Sequence, residues 1–176
     1  MSPDGSAEGG PWAAESGGVD ATAPGPGPPL APFGLVLHHD GHWSHESEPV
    51  RNCKLRSLFD RSVRYLPVEG KFVVQVQRFR GEIEVEEAGF FVRSFDPETG
   101  ALSLSDHSEE VLDVASLHSS GRDGALLCRV KRALVPEGLL ARFHHAAQAE
   151  LLNAVEDGAG SPVLCMAGTR QPLPDL

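Results

Sequence analysis

The chain reads as an α+β protein with a mostly antiparallel sheet of about seven or eight strands and two main helices. Three observations predict it. Short alternating segments are separated by tight-turn residues; two longer segments place apolar residues at helical spacing; and no Gly-rich strand-to-helix turn introduces a doubly wound sheet. The 176 residues, 40% of them hydrophobic, are enough for one core and too few for two large ones. Residues 1–32 contain no Lys or Arg, four acids (Asp4, Glu8, Glu15, Asp20) and fourteen Gly plus Pro, too little apolar surface to offset chain entropy. The expected organisation is a disordered leader over 1–32 and a single α+β domain over 33–176.

Phe33 to His45 reads as a hairpin turning at Asp40-Gly41, a pair suited to the positive φ angles of a type I′ turn. Asn52 is an N-cap candidate, and Leu55, Leu58, Phe59 and Val63 predict a helix from Cys53 to Tyr65, stopped by Pro67. Phe72 to Gln77 and Gly81 to Glu87 read as strands, the second placing Ile83 and Val85 inward and Glu82, Glu84 and Glu86 outward. Asp96 to Gly100 supplies turn chemistry between strands Phe90–Phe95 and Ala101–Ser105. Further strands are expected at Val111–Asp113, Ala125–Lys131 and Val163–Met166. Pro136 suits a first helical turn, and Leu140, Phe143, Ala147, Leu151 and Ala154 form an apolar stripe for a helix ending before Gly158. No internal repeat is visible.

Composition narrows function by exclusion. Beyond residue 32 the chain carries 15 basic and 21 acidic side chains, 15 − 21 = −6, with the basic ones scattered, so nucleic acid is not an expected partner. No apolar stretch approaches the length of a membrane span, and no secretory signal opens the chain, so no membrane association and a cytoplasmic location are expected. Cys53, Cys128 and Cys165 are odd in number and widely spaced, as free thiols in a reducing compartment would be. Phosphate-cradling glycine loops are missing, and no cofactor is expected.

His38, His39, His42 and His45 lie within eight residues and form the strongest chemical cluster, since imidazole is a common metal ligand. A two-residue turn at Asp40-Gly41 pairs His39 with His42 and sends two histidines to each face, leaving His39 and His42 as the candidate metal pair. The glutamates from Glu82 to Glu87 read as the wet side of a strand. His144 and His145 read as ordinary helix-surface residues, and Cys128 in Leu-Leu-Cys-Arg-Val as inert packing.

Several segments together resemble the bacterial domain-of-unknown-function family 1285. They are Asp40-Gly41-x-Trp43-x-His45-Glu46, Leu58-Phe59, Ile83-x-Val85-Glu86-Glu87 leading to Phe90, Cys128-Arg129-Val130-Lys131, Ala141-Arg142-Phe143 and Glu150-Leu151-Leu152. Ser47 and the stretch Ala133 to Gly138 depart from that pattern. The resemblance implies an α+β fold and brings no activity. Among the shared positions, Trp43, His45 and Arg142 are the candidate ligand-binding residues, because an indole, an imidazole and a planar guanidinium can each recognise a polar or anionic group. The expected function is that of a non-enzymatic binding or regulatory module holding a protein partner or a small ligand. A small enzyme acting on a compact anionic or polar substrate and a metal-binding hairpin protein are the alternatives.

Overall fold

A computed structural model describes residues 30–77, 79–158 and 160–176. The expected leader therefore lies almost wholly outside the described residues. The first strand begins at Ala31, ahead of the expected domain start at Phe33. In chain order the elements are β1 (Ala31–Leu37), β2 (Trp43–His45), β3 (Glu48–Pro49), α1 (Cys53–Ser62), β4 (Val63–Leu66), β5 (Lys71–Val76) and β6 (Phe79–Val85). These are followed by β7 (Phe90–Asp96), β8 (Ala101–Leu104), β9 (Glu109–Val111), a 3-10 turn at Val114–Ser116, β10 (His118–Ser119), β11 (Leu126–Val130) and β12 (Leu139–Phe143). The chain closes with α2 (His145–Asn153), β13 (Val155–Glu156), β14 (Val163–Met166) and β15 (Thr169–Pro172).

Among the described residues the strands form three sheets: two of six strands, ordered β3-β2-β1-β6-β5-β4 and β10-β11-β12-β7-β8-β9, and one of three, β13-β14-β15. Most neighbours are antiparallel, but β1 runs parallel to β6 and β12 parallel to β7. The expectation of a mostly antiparallel arrangement holds, and the two parallel pairings make the large sheets mixed. The two large sheets share one topology. Each consists of two three-stranded meanders, and the first strand of the first meander lies parallel to the last strand of the second. Where the first sheet inserts α1 between its meanders, the second inserts only the 3-10 turn. This repeat lives in the hydrogen-bond pattern, which explains why residue identities do not display it.

One core joins the sheets. Leu37, Trp43, Val63 and Val74 from the first pack with Phe90, Val92, Leu102, Leu104, Val130 and Ala141 from the second and with Leu151 and Leu164 beyond it. Two glycines let rings cross the first sheet closely. A β-carbon on Gly81 would overlap the Phe33 ring, and one on Gly89 would overlap Phe72, itself edge-on to Phe90 at 6.0 Å between centroids.

Three local expectations need correction. α1 starts at Cys53 as expected, with Asn52 Oδ1 accepting from the N–H groups of Lys54 (3.0 Å) and Leu55 (3.1 Å). It ends at Ser62, because Val63-Arg64-Tyr65-Leu66 pairs with β5 instead. The helix expected from Pro136 is replaced by a strand and a shorter helix: Leu139–Phe143 is claimed on both sides, by β11 and β7. Finally, the β1–β2 register pairs Leu37 with Trp43 and Leu35 with His45, one residue away from that of a two-residue turn. His38 to His42 form a longer loop, closed by His38 N–H to His42 O at 2.9 Å.

Candidate functional site: a polar crevice at the seam of the two sheets

The seam between the sheets is the segment from β6 to β7, and it opens with Glu86 and Glu87. These neighbours bind different halves of the molecule. The Glu86 carboxylate lies 2.8 Å from His38 Nδ1 and 3.1 Å from His39 Nδ1 and accepts the His39 backbone N–H at 3.0 Å. It thereby pins the loop between β1 and β2. The His39 amide, followed by the imidazoles of His39 and His38, lowers the Glu86 pKa to about 2. His38 Nε2 is also 2.8 Å from Ser44 Oγ.

Glu87 reaches the second sheet. Its side chain is 12% exposed and accepts from Arg142 Nη1 at 2.7 Å and from Ser120 Oγ at 2.5 Å. Arg142, on β12 with a side chain only 7% exposed, gives its second nitrogen, Nη2, to Asp123. Burial works against the guanidinium charge, but the bonds to Asp123 and Glu87 outweigh it and raise the pKa further; the same pairing depresses that of Asp123. The expectation that Glu82 to Glu87 simply line a wet strand face is corrected at this end: Glu82 does bond Lys71 in that way, at 2.7 Å, but Glu87 is turned inward.

Arg142 and Asp123 open onto a pocket of ≈ 400 Å³ together with Asp40, Phe91, His144 and His145. Its floor is a stacked pair, Phe91 and His144, with centroids 5.2 Å apart and planes inclined by 26°. Burial, and then the nearby Arg93 cation, lowers the His144 pKa and favours neutral imidazole at neutral pH. Gly41 packs the tip of the β1–β2 loop against this floor. A β-carbon there would lie 3.4 Å from Phe91 and 3.5 Å from His144, and its φ of +84° suits glycine. Asp40 is shared with a second, open cavity of ≈ 680 Å³ bounded by His38, His39, His42, Trp43 and Glu84. Burial pushes the Asp40 carboxyl up, but hydrogen bonds from the His42 backbone and ring bring it below its ordinary value.

The five residues singled out from sequence are thus distributed over three cavities. Arg142 lines the first. Trp43 lines the second, but its ring is buried, tilted against Phe59 at 5.4 Å, with Nε1 donating to Asp60 at 2.8 Å. His45 lines a third, apolar groove with Leu55 and Phe59. His39 and His42 border the second cavity, where their ring nitrogens meet different carboxylates, Glu86 and Asp40, the latter at 2.9 Å. Among the described residues, no group of three or more His, Cys, Asp and Glu side chains is placed to hold a metal ion. Sequence reasoning missed Asp123, and it read Glu87 as strand-surface and His144 as helix-surface, whereas Glu87 turns inward and His144 stacks on Phe91. The usable signal was the doubled glutamate at the end of an alternating strand, where one side chain must leave the wet face.

Comparison with known proteins places this architecture. A crystal structure of a DUF1285 family protein from Silicibacter pomeroyi DSS-3 superposes with a TM-score of 0.59 at 18% identity, over 84% of this chain and 83% of that one. The two proteins share a fold. The resemblance carried by Asp40-Gly41-x-Trp43-x-His45-Glu46 and the later segments is therefore met at the level of architecture. A DUF1285 family protein from Shewanella baltica OS155 is more distant, with a TM-score of 0.47 and 14% identity over 69% of this chain and 91% of that one. No protein-family model and no curated protein match the sequence. The DUF1285 name carries no activity, so function rests on the crevice itself. No helix among the described residues is long and apolar enough to cross a membrane.

Proposed function

We propose that the protein is a non-enzymatic binding module whose crevice at the sheet seam holds one small polar molecule. The observation that carries this reading is the fixed guanidinium of Arg142, buried between Glu87 and Asp123 yet lining an open pocket. A charged group held rigidly by two partners gives up little conformational freedom when a ligand arrives, which is the main advantage of a preformed site. The Phe91–His144 stack offers a flat wall, while Asp40 and Asp123 offer acceptors. A compact planar ligand that presents donors to the carboxylates suits this lining.

Chemistry finds less support than binding. Arg142, Glu87, Ser120 and Asp123 satisfy one another, and burial pushes the Cys128 thiol up to about 12, far from a reactive thiolate at neutral pH. The test is a thermal-shift screen of polar metabolites on the full chain and on Asp123→Asn. A ligand at 100 times its Kd adds about 2.7 kcal/mol. The reading holds if a compound stabilises the wild type and loses most of that effect in the variant. Equal stabilisation of both proteins, or turnover of the compound, overturns it.

A further inference from the structure

A second surface stands apart from the crevice. The groove between α1 and the β1–β2–β3 meander, ≈ 350 Å³, is lined by Phe33, Leu35, His45, Val50, Leu55 and Phe59. Leu55 and Phe59 are one helical turn apart and form one wall; Leu55 is 39% exposed at the rim. The concavity has room for a single large apolar side chain.

The charge carried by the helix that walls this groove is unlike that elsewhere in the molecule. Arg51, Lys54, Arg56 and Arg61 precede or belong to α1, and among the described residues none of them forms an ion pair. In a chain of net charge −10, most other cations, Arg142, Arg93, Lys131 and Arg132 among them, are bound to carboxylates. α1 also has no acid in its first turn, so Lys54 adds positive charge at the positive end of the helix dipole. Among the described residues Arg56 Nε is buried and meets no hydrogen-bond partner, an expensive state for a charged donor. Four of the fifteen Lys and Arg residues thus lie in or just before this one helix, while the others are scattered as expected. Glu46 and Glu48, in and beside the β2–β3 turn, are exposed.

We propose that this groove docks an acidic peptide segment of a partner protein, with one aromatic side chain inserted between Leu55 and Phe59 and its carboxylates laid along α1. The apolar pocket supplies the anchor site and the unpaired cations supply register, the usual division between a buried hot spot and a charged rim. A lipid surface fits less well, because membrane binding presents protruding apolar side chains, whereas here the apolar surface is recessed.

The experiment uses the full chain and two synthetic peptides of equal length. Each has a central tryptophan, flanked in one by glutamates and in the other by lysines. Fluorescence anisotropy should show binding of the glutamate peptide, weakened about tenfold or more by Leu55→Glu and several-fold by Arg56→Gln, with affinity falling as salt rises. Circular dichroism should show both variants folded, since Leu55 is exposed and Arg56→Gln removes a buried donor that meets no partner among the described residues. No binding by the glutamate peptide, equal binding by the lysine peptide, or indifference to Leu55→Glu overturns the proposal. So does stronger binding to anionic vesicles that Leu55→Glu abolishes. Binding seen only after Trp12→Ala would give the groove to the chain's own N-terminal segment and equally overturn it.

Discussion

Trp43 gives its indole N–H to Asp60 at 2.8 Å, and that bond ties the first sheet to α1. The second Asp60 oxygen accepts from Arg93 Nη2, also at 2.8 Å, so one carboxylate links β2, α1 and β7. Trp43 is 1% exposed, and its N–H has no access to bulk water. Asp60→Ala strands that donor and should cost about 1–3 kcal/mol. Urea denaturation is expected to show a lower midpoint at unchanged slope. Asp60→Asn, which keeps an acceptor oxygen, should lose less.

Arg142→Met leaves Glu87 charged and largely shielded from solvent, and should destabilise by roughly 3–5 kcal/mol. Adding Glu87→Leu removes the stranded charge and should recover much of the loss. A double-mutant cycle by thermal or chemical denaturation reads this directly. Additive losses would show that the pair is not coupled.

Glu86 predicts a dependence on acid. Its folded pKa, about 2, lies below its ordinary 4.5, so its contribution to stability is fully present above that ordinary value and is lost as pH falls from 4.5 through 2. Glu86→Gln should flatten the stability curve in that window and leave the slope above pH 5 nearly unchanged. Its carboxylate is 33% exposed, so added salt should shrink the effect.

Gly89→Ala places a methyl group inside the space of the Phe72 ring, and Gly81→Ala does the same to Phe33. Each should lower stability by about 1–3 kcal/mol through overpacking. Gly41→Ala meets only ordinary contact distances, and its cost of about 1 kcal/mol comes from the backbone at φ +84°. Melting temperatures of the three variants should rank accordingly.

Thiol accessibility offers a fifth check. Cys53 is exposed at the start of α1, whereas Cys128 is buried on β11 with its thiol pushed up to about 12. A thiol-specific reagent on native protein should label Cys53 quickly and Cys128 only on unfolding, as read by peptide mass.

What the residues announce and what they conceal follow from the range of the forces involved. Asn52 caps α1 through contacts two and three residues away, so its start was legible. The end of α1 was not, because Val63 and Tyr65 are drawn into pairing with Val74 and Phe72. Leu140 and Phe143 fit a helical stripe as well as a strand, and the choice is made by β7, whose Phe91 lies opposite Arg142. The histidine loop is a similar case. Asp40-Gly41 alone suggests a two-residue turn, yet Glu86, 47 positions from His39 in the chain, holds that residue out of the ladder. Arg142 could be named as a binding residue from its type and place, but its partners Glu87 and Asp123 are joined to it only by folding.

The adjacency of Glu86 and Glu87 makes chain length at the seam more critical than residue type. A shortened or softened side chain there loosens one grip at a time. Deleting a single residue just before Glu86 would instead send each carboxylate toward the wrong half, releasing the histidine loop and the buried guanidinium together. Homologous chains should therefore vary in spelling at this point while keeping its spacing.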